Sequence, residues 1–190
     1  MSELDPTRQA LRDHLLAHSV KIGDFVLKSG KRSSWFIDSK QTVCRPDAME
    51  LVARSILDLA PSDATAIGGL TMGADPVSFV TAGIAATLGR PLRAFSVRKE
   101  IKDHGAGGRI AGALEPGDKV VVTEDTVSRG TSLLEAAQVI REFGAEVVLL
   151  TAIVDRGGTV AAMAEAEGFS FVPVLTAPDL GFDFEGGLES

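Results

Sequence analysis

From Arg45-Pro46 to Leu175 the chain repeats one pattern: a short apolar run, a turn, then a longer amphipathic stretch. Val120 to Thr123 opens with three consecutive valines, and Val147 to Val154 is apolar almost throughout. Strands without a polar face must be covered on both sides, and the intervening helices supply the cover. The pattern therefore predicts an α/β fold with a mostly parallel sheet flanked by helices. Strands are expected at Thr65 to Gly68, Leu92 to Val97, Val120 to Thr123, Val147 to Val154 and Phe171 to Leu175. Helices are expected from Asp47 to Ala60, from Asp75-Pro76 to Gly89, from Thr131 to Phe143 before Gly144, and up to about Glu167. Proline inside a helix start and glycine past its end are the punctuation such elements favour. Ahead of the core, Asp5-Pro6 starts a helix to about His18 with Leu11, Leu15 and Leu16 inward. Phe25 to Leu27 and Trp35 to Ile37 flank Ser29-Gly30-Lys31 as a β-hairpin, expected to sit apart from the main sheet. With 190 residues, no repeat and no long linker, a single domain is expected: a hood over 1–45, a core over 46–175 and a tail over 176–190.

Ligands of such sheets lie beyond the carboxyl ends of the strands, so the loops that follow strands carry the information. In Val120-Val-Val-Thr-Glu124-Asp125-Thr126-Val127-Ser128-Arg129-Gly130-Thr131-Ser132 a buried strand ends in two carboxylates, and a hydroxyl- and glycine-bearing loop enters a helix. Gly130 lets backbone approach a ligand closely. Helix-start N–H groups, with Ser128, Thr131 and Ser132, suit a phosphate monoester. Glu124 and Asp125 repel that phosphate and suit ribose hydroxyls and a hydrated magnesium ion instead. The plain alternative is a strand-to-helix turn capped by Thr131 or Ser132. It leaves two adjacent acids at the end of a buried strand without a reason.

A second segment, Arg98-Lys99-Glu100-Ile101-Lys102-Asp103-His104-Gly105, precedes Gly107, Gly108 and Gly112. Basic side chains on a long mobile glycine segment suit a diphosphate leaving group, which needs charge that closes over it and excludes water. The plain alternative is a solvated surface loop.

The acid-pair segment resembles the phosphoribosyl-diphosphate signature of the type I phosphoribosyltransferases. Arg-Lys-x-x-Lys-x-His-Gly, with Lys28-Ser29-Gly30, Trp35-Phe36 and Val154-Asp155-Arg156, resembles orotate phosphoribosyltransferase in particular. The resemblance implies a Rossmann-like sheet with a small N-terminal helix and hairpin hood, a flexible catalytic loop and Mg²⁺ as cofactor. It implies transfer of a 5-phosphoribosyl group from its diphosphate to orotate, in UMP biosynthesis. Residue by residue, Lys99, Lys102 and His104 match loop positions that meet the diphosphate, and Asp125 joins them as a catalytic candidate. Arg98 and Thr71, with Glu124, Asp125, Thr126, Val127, Ser128, Arg129, Gly130, Thr131 and Ser132, match the donor site. Ser128, Arg156, Lys28, Trp35 and Phe36 match the base site, with Arg156 facing the orotate carboxylate. No direct protein ligand is expected for the metal, which substrate and water would hold near Glu124 and Asp125. The resemblance also implies a homodimer in which the loop 99–112 acts in the partner's site.

Two positions depart from the pattern. Met72 stands in Gly68-Gly69-Leu70-Thr71-Met72-Gly73 where family members often carry a polar residue, so donor contact there falls to backbone N–H groups and Thr71. Arg129 stands where a small residue is common and either adds charge near the phosphate or points to solvent. Other motifs fall away. Gly68 to Gly73 lacks the Lys-Ser/Thr of a P-loop, and Gly105-x-Gly107 lacks the dinucleotide fingerprint's third glycine. His14 and His18 have ligand spacing but no accompanying acid, so a surface helix is the better reading. Cys44 is the only cysteine and reads as a buried structural thiol. A net charge of −7 argues against wrapping a nucleic acid. The polar N-terminus and the lack of a long apolar run argue against secretion and membrane insertion, so a cytoplasmic setting is expected. The rivals are a phosphoribosyltransferase for a purine or uracil, where Arg156 discriminates, and a donor-binding transcription regulator, against which the acidic charge speaks.

Overall fold

The computed structural model describes residues 4–26, 30, 32–102 and 108–185, with backbone only at 101 and 102. Helix α1 (Pro6–His18) begins as expected, with the Asp5 carboxylate accepting from the N–H groups of Thr7 and Arg8. Strands β1 (Val20–Val26) and β2 (Arg32–Ile37) pair antiparallel as a separate two-stranded sheet. The expected β-hairpin is present, but its first strand starts earlier, at Val20. Leu27 to Ser29 and Lys31 lie outside the described residues. A short helix α2 (Lys40–Val43), which no periodicity announced, links the hairpin to α3 (Pro46–Leu59).

The core alternates β3 (Ala66–Leu70), α4 (Ala74–Thr87), β4 (Arg93–Lys102), β5 (Gly108–Gly112), β6 (Lys119–Val127), α5 (Thr131–Phe143), β7 (Glu146–Asp155), α6 (Val160–Ala166) and β8 (Leu175–Thr176). The sheet order is β5-β4-β3-β6-β7-β8, parallel throughout except for the β4/β5 pair. Two expectations need correction. The basic glycine segment is not all loop: Arg98 to Lys102 extends β4, and Gly108 to Gly112 forms an edge strand. Pairs such as Val97 with Ile110 and Phe95 with Gly112 bind it there. The last strand is only Leu175–Thr176, and Phe171 makes one isolated bridge to Leu150.

Strand alternation divides the core between the two sheet faces. Val121 and Ile67 join Leu11, Leu15, Trp35, Val52, Ile56 and Ile153 on the face covered by α1, α3 and α4. Val120 and Val122 join Phe95, Leu133, Ile140 and Leu150 beneath α5 and α6. Each large side chain on either face is held by packing; cutting one such as Ile153 to alanine costs roughly 2–5 kcal/mol. The chain runs outward from β3 to β4, then crosses back to place β6 on the other side of β3. That reversal opens a crevice at the carboxyl ends of β3 and β6, where open parallel sheets bind ligands. Gly73 follows the end of β3. The Glu124-Asp125 pair lies among the last residues of β6, which runs on to Val127 past the expected end at Thr123 because pairing with β7 continues to Asp155.

Candidate active site

The end of the site expected to take the donor is shaped by glycines and acids. Glu124 and Asp125 lie near the end of β6 almost wholly buried, at 8% and 6% exposure. Glu124 Oε1 accepts from the Asp125 N–H at 3.1 Å, and Asp125 Oδ1 accepts from the Thr126 N–H at 2.8 Å. A side chain at Gly73 would place its Cβ 1.7 Å from Glu124 Oε1 and 2.8 Å from Asp125 Oδ1, so any larger residue in the turn after β3 would displace the acids' carboxylates. Burial, then the neighbouring Asp125 charge, pushes the Glu124 carboxyl up to about 8. Lys40 donates to Asp125 Oδ2, and the Ser39 hydroxyl donates to the same oxygen at 3.0 Å. Burial lowers the Lys40 pKa, but the hydrogen bond and charge of Asp125, with the charges of Glu124 and Asp38, raise it overall. The sequence reading missed Ser39 and Lys40. The only signal was a polar pair immediately after a strand.

Beyond the acids β6 continues through Thr126 and Val127, and the chain then turns through Ser128 to Gly130 into α5. Gly130 occupies the cap position with φ 74°, and no side chain caps the helix. The Thr131 or Ser132 cap of the plain reading is therefore absent, and the helix start faces the cavity. A Cβ on Gly130 would meet Val160 Cγ1 at 2.8 Å, so both dihedral and packing require glycine there. Ser128, Arg129, Thr131 and Ser132 are exposed around this turn.

A cavity of about 800 Å³ joins this end to a second one. Glu124, Thr126, Val127, Ser128, Arg129, Gly130, Thr131 and Ser132 line it, as do Phe36 and Arg156. Lys21, Phe25 and Val26 of β1 complete the wall and were not singled out in the sequence. Arg156 enters through the loop after β7, where Asp155 Oδ1 accepts from the N–H groups of Gly157 and Gly158 at 3.0 Å each. Burial pushes the Asp155 carboxyl up, against those two N–H bonds. Gly157 is essential to this approach, because a Cβ would sit 1.8 Å from the Ser128 carbonyl oxygen. The loops after β6 and β7 thus touch backbone to backbone.

Not every candidate reaches the cavity. Trp35 and Phe36 were assigned together to a hood over the base, yet successive strand residues point to opposite faces. β2 alternates exposed and buried from Arg32 to Ile37. Phe36 faces the cavity, while Trp35 is buried behind Arg156, its ring 4.6 Å from the guanidinium carbon and its carbonyl accepting from Nη2 at 2.8 Å. Asp125 lies between two lining residues, Glu124 and Thr126, without lining the cavity itself, and Thr71, the residue after β3, does not line it. Arg98 is held along the β4/β5 hairpin, donating to the Gly108 carbonyl at 3.4 Å, and Lys99 is exposed on the same hairpin. Lys28, His104 and the Lys102 side chain lie outside the described residues. Cys44 is exposed and not buried: it follows α2, whose inward face is taken by Thr42 and Val43. His14 Nδ1 lies 3.1 Å from Thr42 Oγ1, and its Nε2 lies 3.4 Å from an Asp47 carboxylate oxygen, so it is not a free surface ring.

No family model matches the chain. The orotate phosphoribosyltransferase of Streptomyces avermitilis is 40% identical over 182 residues, covering 95% of this chain and 100% of that protein. The orotate phosphoribosyltransferase of a Nostoc species is 38% identical over 180 residues, covering 94% of this chain and 87% of that protein. The chain belongs to the orotate phosphoribosyltransferase family. A crystal structure of the Mycobacterium tuberculosis family member, in complex with 5-phospho-α-D-ribosyl 1-diphosphate, superposes with a TM-score of 0.78 at 34% identity. It covers 93% of this chain and 100% of that one. The family's fold, with its mostly parallel sheet and N-terminal hairpin, is the fold described above.

Two carboxylates are too few for a protein-only cage for a hard divalent cation. Among the described residues no group of three or more His, Cys, Asp or Glu gathers. The pair does fit a magnesium ion that brings its own waters and substrate oxygens, because a cation there offsets both the burial and the neighbouring Asp125 charge that push the Glu124 carboxyl up.

Proposed function

We propose that this chain transfers the 5-phosphoribosyl group of 5-phosphoribosyl 1-diphosphate to N1 of orotate, giving orotidine 5′-monophosphate and diphosphate. The observation that supports it most is one continuous cavity with an uncapped helix start and buried acids at one end, and an arginine beside an aromatic ring at the other. The N–H groups opening α5, with Ser128, Thr131 and Ser132, hold the 5′-phosphate. Glu124 and Asp125 take the ribose hydroxyls. Arg156 pairs with the base carboxylate, which neither purines nor uracil carry, and Phe36 lies against the ring. Glu124 and Asp125 would lie beside a Mg²⁺ ion brought in with donor oxygens and water, which would supply charge to offset that of the diphosphate. Departure of that group builds oxocarbenium character on the sugar, as in glycoside cleavage, and needs no covalent enzyme intermediate. The chain's contribution is to align base and sugar and to exclude water. Magnesium-dependent loss of orotate absorbance with the donor present, beside uracil, adenine and hypoxanthine, tests the assignment. Turnover of a carboxylate-free base in preference to orotate would overturn it.

The diphosphate falls to Lys99, Lys102 and His104 acting from a second subunit. In support, Arg98 and Lys99 sit on an edge hairpin and do not line their own chain's cavity. In a twofold dimer each site then borrows the other's loop. Co-expressing Lys102→Ala with Asp125→Asn restores about a quarter of the sites if the loop acts in trans, and none if it acts in cis. The protein works in the cytoplasm on this reading; no helix among the described residues is long and apolar enough to cross a membrane.

A further inference from the structure

The last described stretch of the chain is fastened to the loop that carries Arg156. After the turn Pro178–Leu180, Gly181 adopts φ 87° and sends the chain back across the hairpin. The Phe182 ring stacks on Trp35 at 4.4 Å and 8°. Phe184 packs against Gly158, where a Cβ would meet its ring carbons at 2.8 Å. The Glu185 N–H donates to the Arg156 carbonyl at 3.1 Å. In return Arg156 Nη2 donates to Glu185 Oε1 at 2.7 Å. The Ser33 hydroxyl donates to the same carboxylate oxygen, and Arg156 Nη2 lies 3.3 Å from that hydroxyl. The four partners close a network of one tail residue, two hairpin residues and the arginine.

We propose that Glu185 is a positioning residue for base recognition, holding the Arg156 guanidinium in the orientation that meets the substrate carboxylate. This rests on the reading of Arg156 given above. Two features set the pair apart from an ordinary stabilising ion pair. It is nearly desolvated, with side-chain exposures of 6% and 16%. It is also incompletely satisfied: Glu185 Oε2 and Arg156 Nε are buried without a hydrogen-bond partner among the described residues. A buried pair kept only for stability is favourable when its remaining lone pairs and protons are matched. The two N–H groups of Nη2 are instead taken by the Trp35 carbonyl at 2.8 Å and the Glu185 carboxylate at 2.7 Å, with the Ser33 hydroxyl 3.3 Å away, which fixes the plane of the fork while its cation borders the cavity.

The test compares two nucleotides that differ only in the carboxylate. Orotidine 5′-monophosphate and uridine 5′-monophosphate are titrated calorimetrically into the wild type, Glu185→Ala, Glu185→Gln and Arg156→Ala. Glu185→Ala should weaken the first nucleotide roughly five- to tenfold and leave the second unchanged, since one charge-assisted contact is disturbed indirectly. Glu185→Gln, which keeps an acceptor of the same shape, should recover most of that loss. Equal weakening of both nucleotides, no change in either, or no recovery by glutamine would overturn the proposal. So would tighter binding of the carboxylated nucleotide to Glu185→Ala, which would make Glu185 a competitor for Arg156. Discrimination between the two nucleotides that persists in Arg156→Ala would overturn the reading of Arg156 itself, and the proposal with it. Discrimination lost in Arg156→Ala but kept in Glu185→Ala overturns the Glu185 role alone.

Discussion

The two ends of the cavity are made from different amounts of chain. The donor end is almost one stretch, Glu124 to Leu133, in which a strand end, a turn and a helix start follow one another. The base end is assembled from β1 and β2, from the loop after β7, and from a tail residue 152 positions beyond Ser33. Backbone shapes the first: uncapped N–H groups, and glycines at 73 and 130 whose Cβ atoms would strike Glu124 and Val160. Side chains shape the second: the Arg156 guanidinium lies over Trp35, beside Phe36 and against Glu185. Apart from its two acids, the first end should tolerate changes of side chain along its turn, whereas the network at the second answers to each member. Single substitutions should therefore separate the two ends in kinetics.

Changing both Glu124→Gln and Asp125→Asn gives the largest effect. Losing two charge-assisted contacts should weaken the donor by roughly a hundredfold or more while the fold persists. Donor titration in the presence of magnesium reads this, and a double variant with wild-type affinity would make the acids structural. Next comes Arg156→Ala, which should raise KM for orotate roughly ten- to hundredfold with donor KM little changed. Parallel loss of both substrates would erase the distinction between the ends.

A smaller effect is expected in pH dependence. The folded Glu124 carboxyl is raised to about 8 from an unfolded value near 4.5. Its contribution to stability is therefore complete below the unfolded value and lost as pH rises through about 8. Melting of the ligand-free protein should fall between about pH 5 and pH 9, and Glu124→Gln should flatten that fall. Identical slopes for wild type and variant would contradict the raised pKa. The smallest effect belongs to Lys40→Ala. Its partner Asp125 is buried, but the lysine side chain is 41% exposed. Solvent screening holds the expected loss in chemical denaturation to about 1 kcal/mol or less. A loss several times larger would place Lys40 among the supports of the fold.

What the sequence revealed follows the same division. The strand of valines, the acid pair and the Gly130 turn are contiguous, so their order along the chain already describes the donor end. Helix α5 was legible to the residue because Gly130 and Gly144 bracket it, both with positive φ. Trp35 and Phe36 were legible as aromatics, but their adjacency hid the alternation that sends one behind Arg156. Glu185 was invisible: a single acid in a tail has no period and no motif, and only the closure of the chain brings it to Arg156. Ser39 and Lys40 were missed for the same reason, since nothing local announces the four-residue helix that presents them to Asp125. The glycines at 108 and 112 misled in the other direction. They read as a loop, yet pairing with β4 makes an edge strand of them, and Gly112 sits where a Cβ would meet the Phe95 Cα at 2.8 Å.

A crystal structure of the protein with orotidine 5′-monophosphate tests the central claim most directly, because one ligand spans both ends. The account predicts the 5′-phosphate at the start of α5, within hydrogen-bond reach of the Thr131 and Ser132 N–H groups, with the ribose beside Glu124 and Asp125. The carboxylate should meet Arg156, with the ring against Phe36. A nucleotide bound in the reverse sense, or with its carboxylate in solvent away from Arg156, would contradict it.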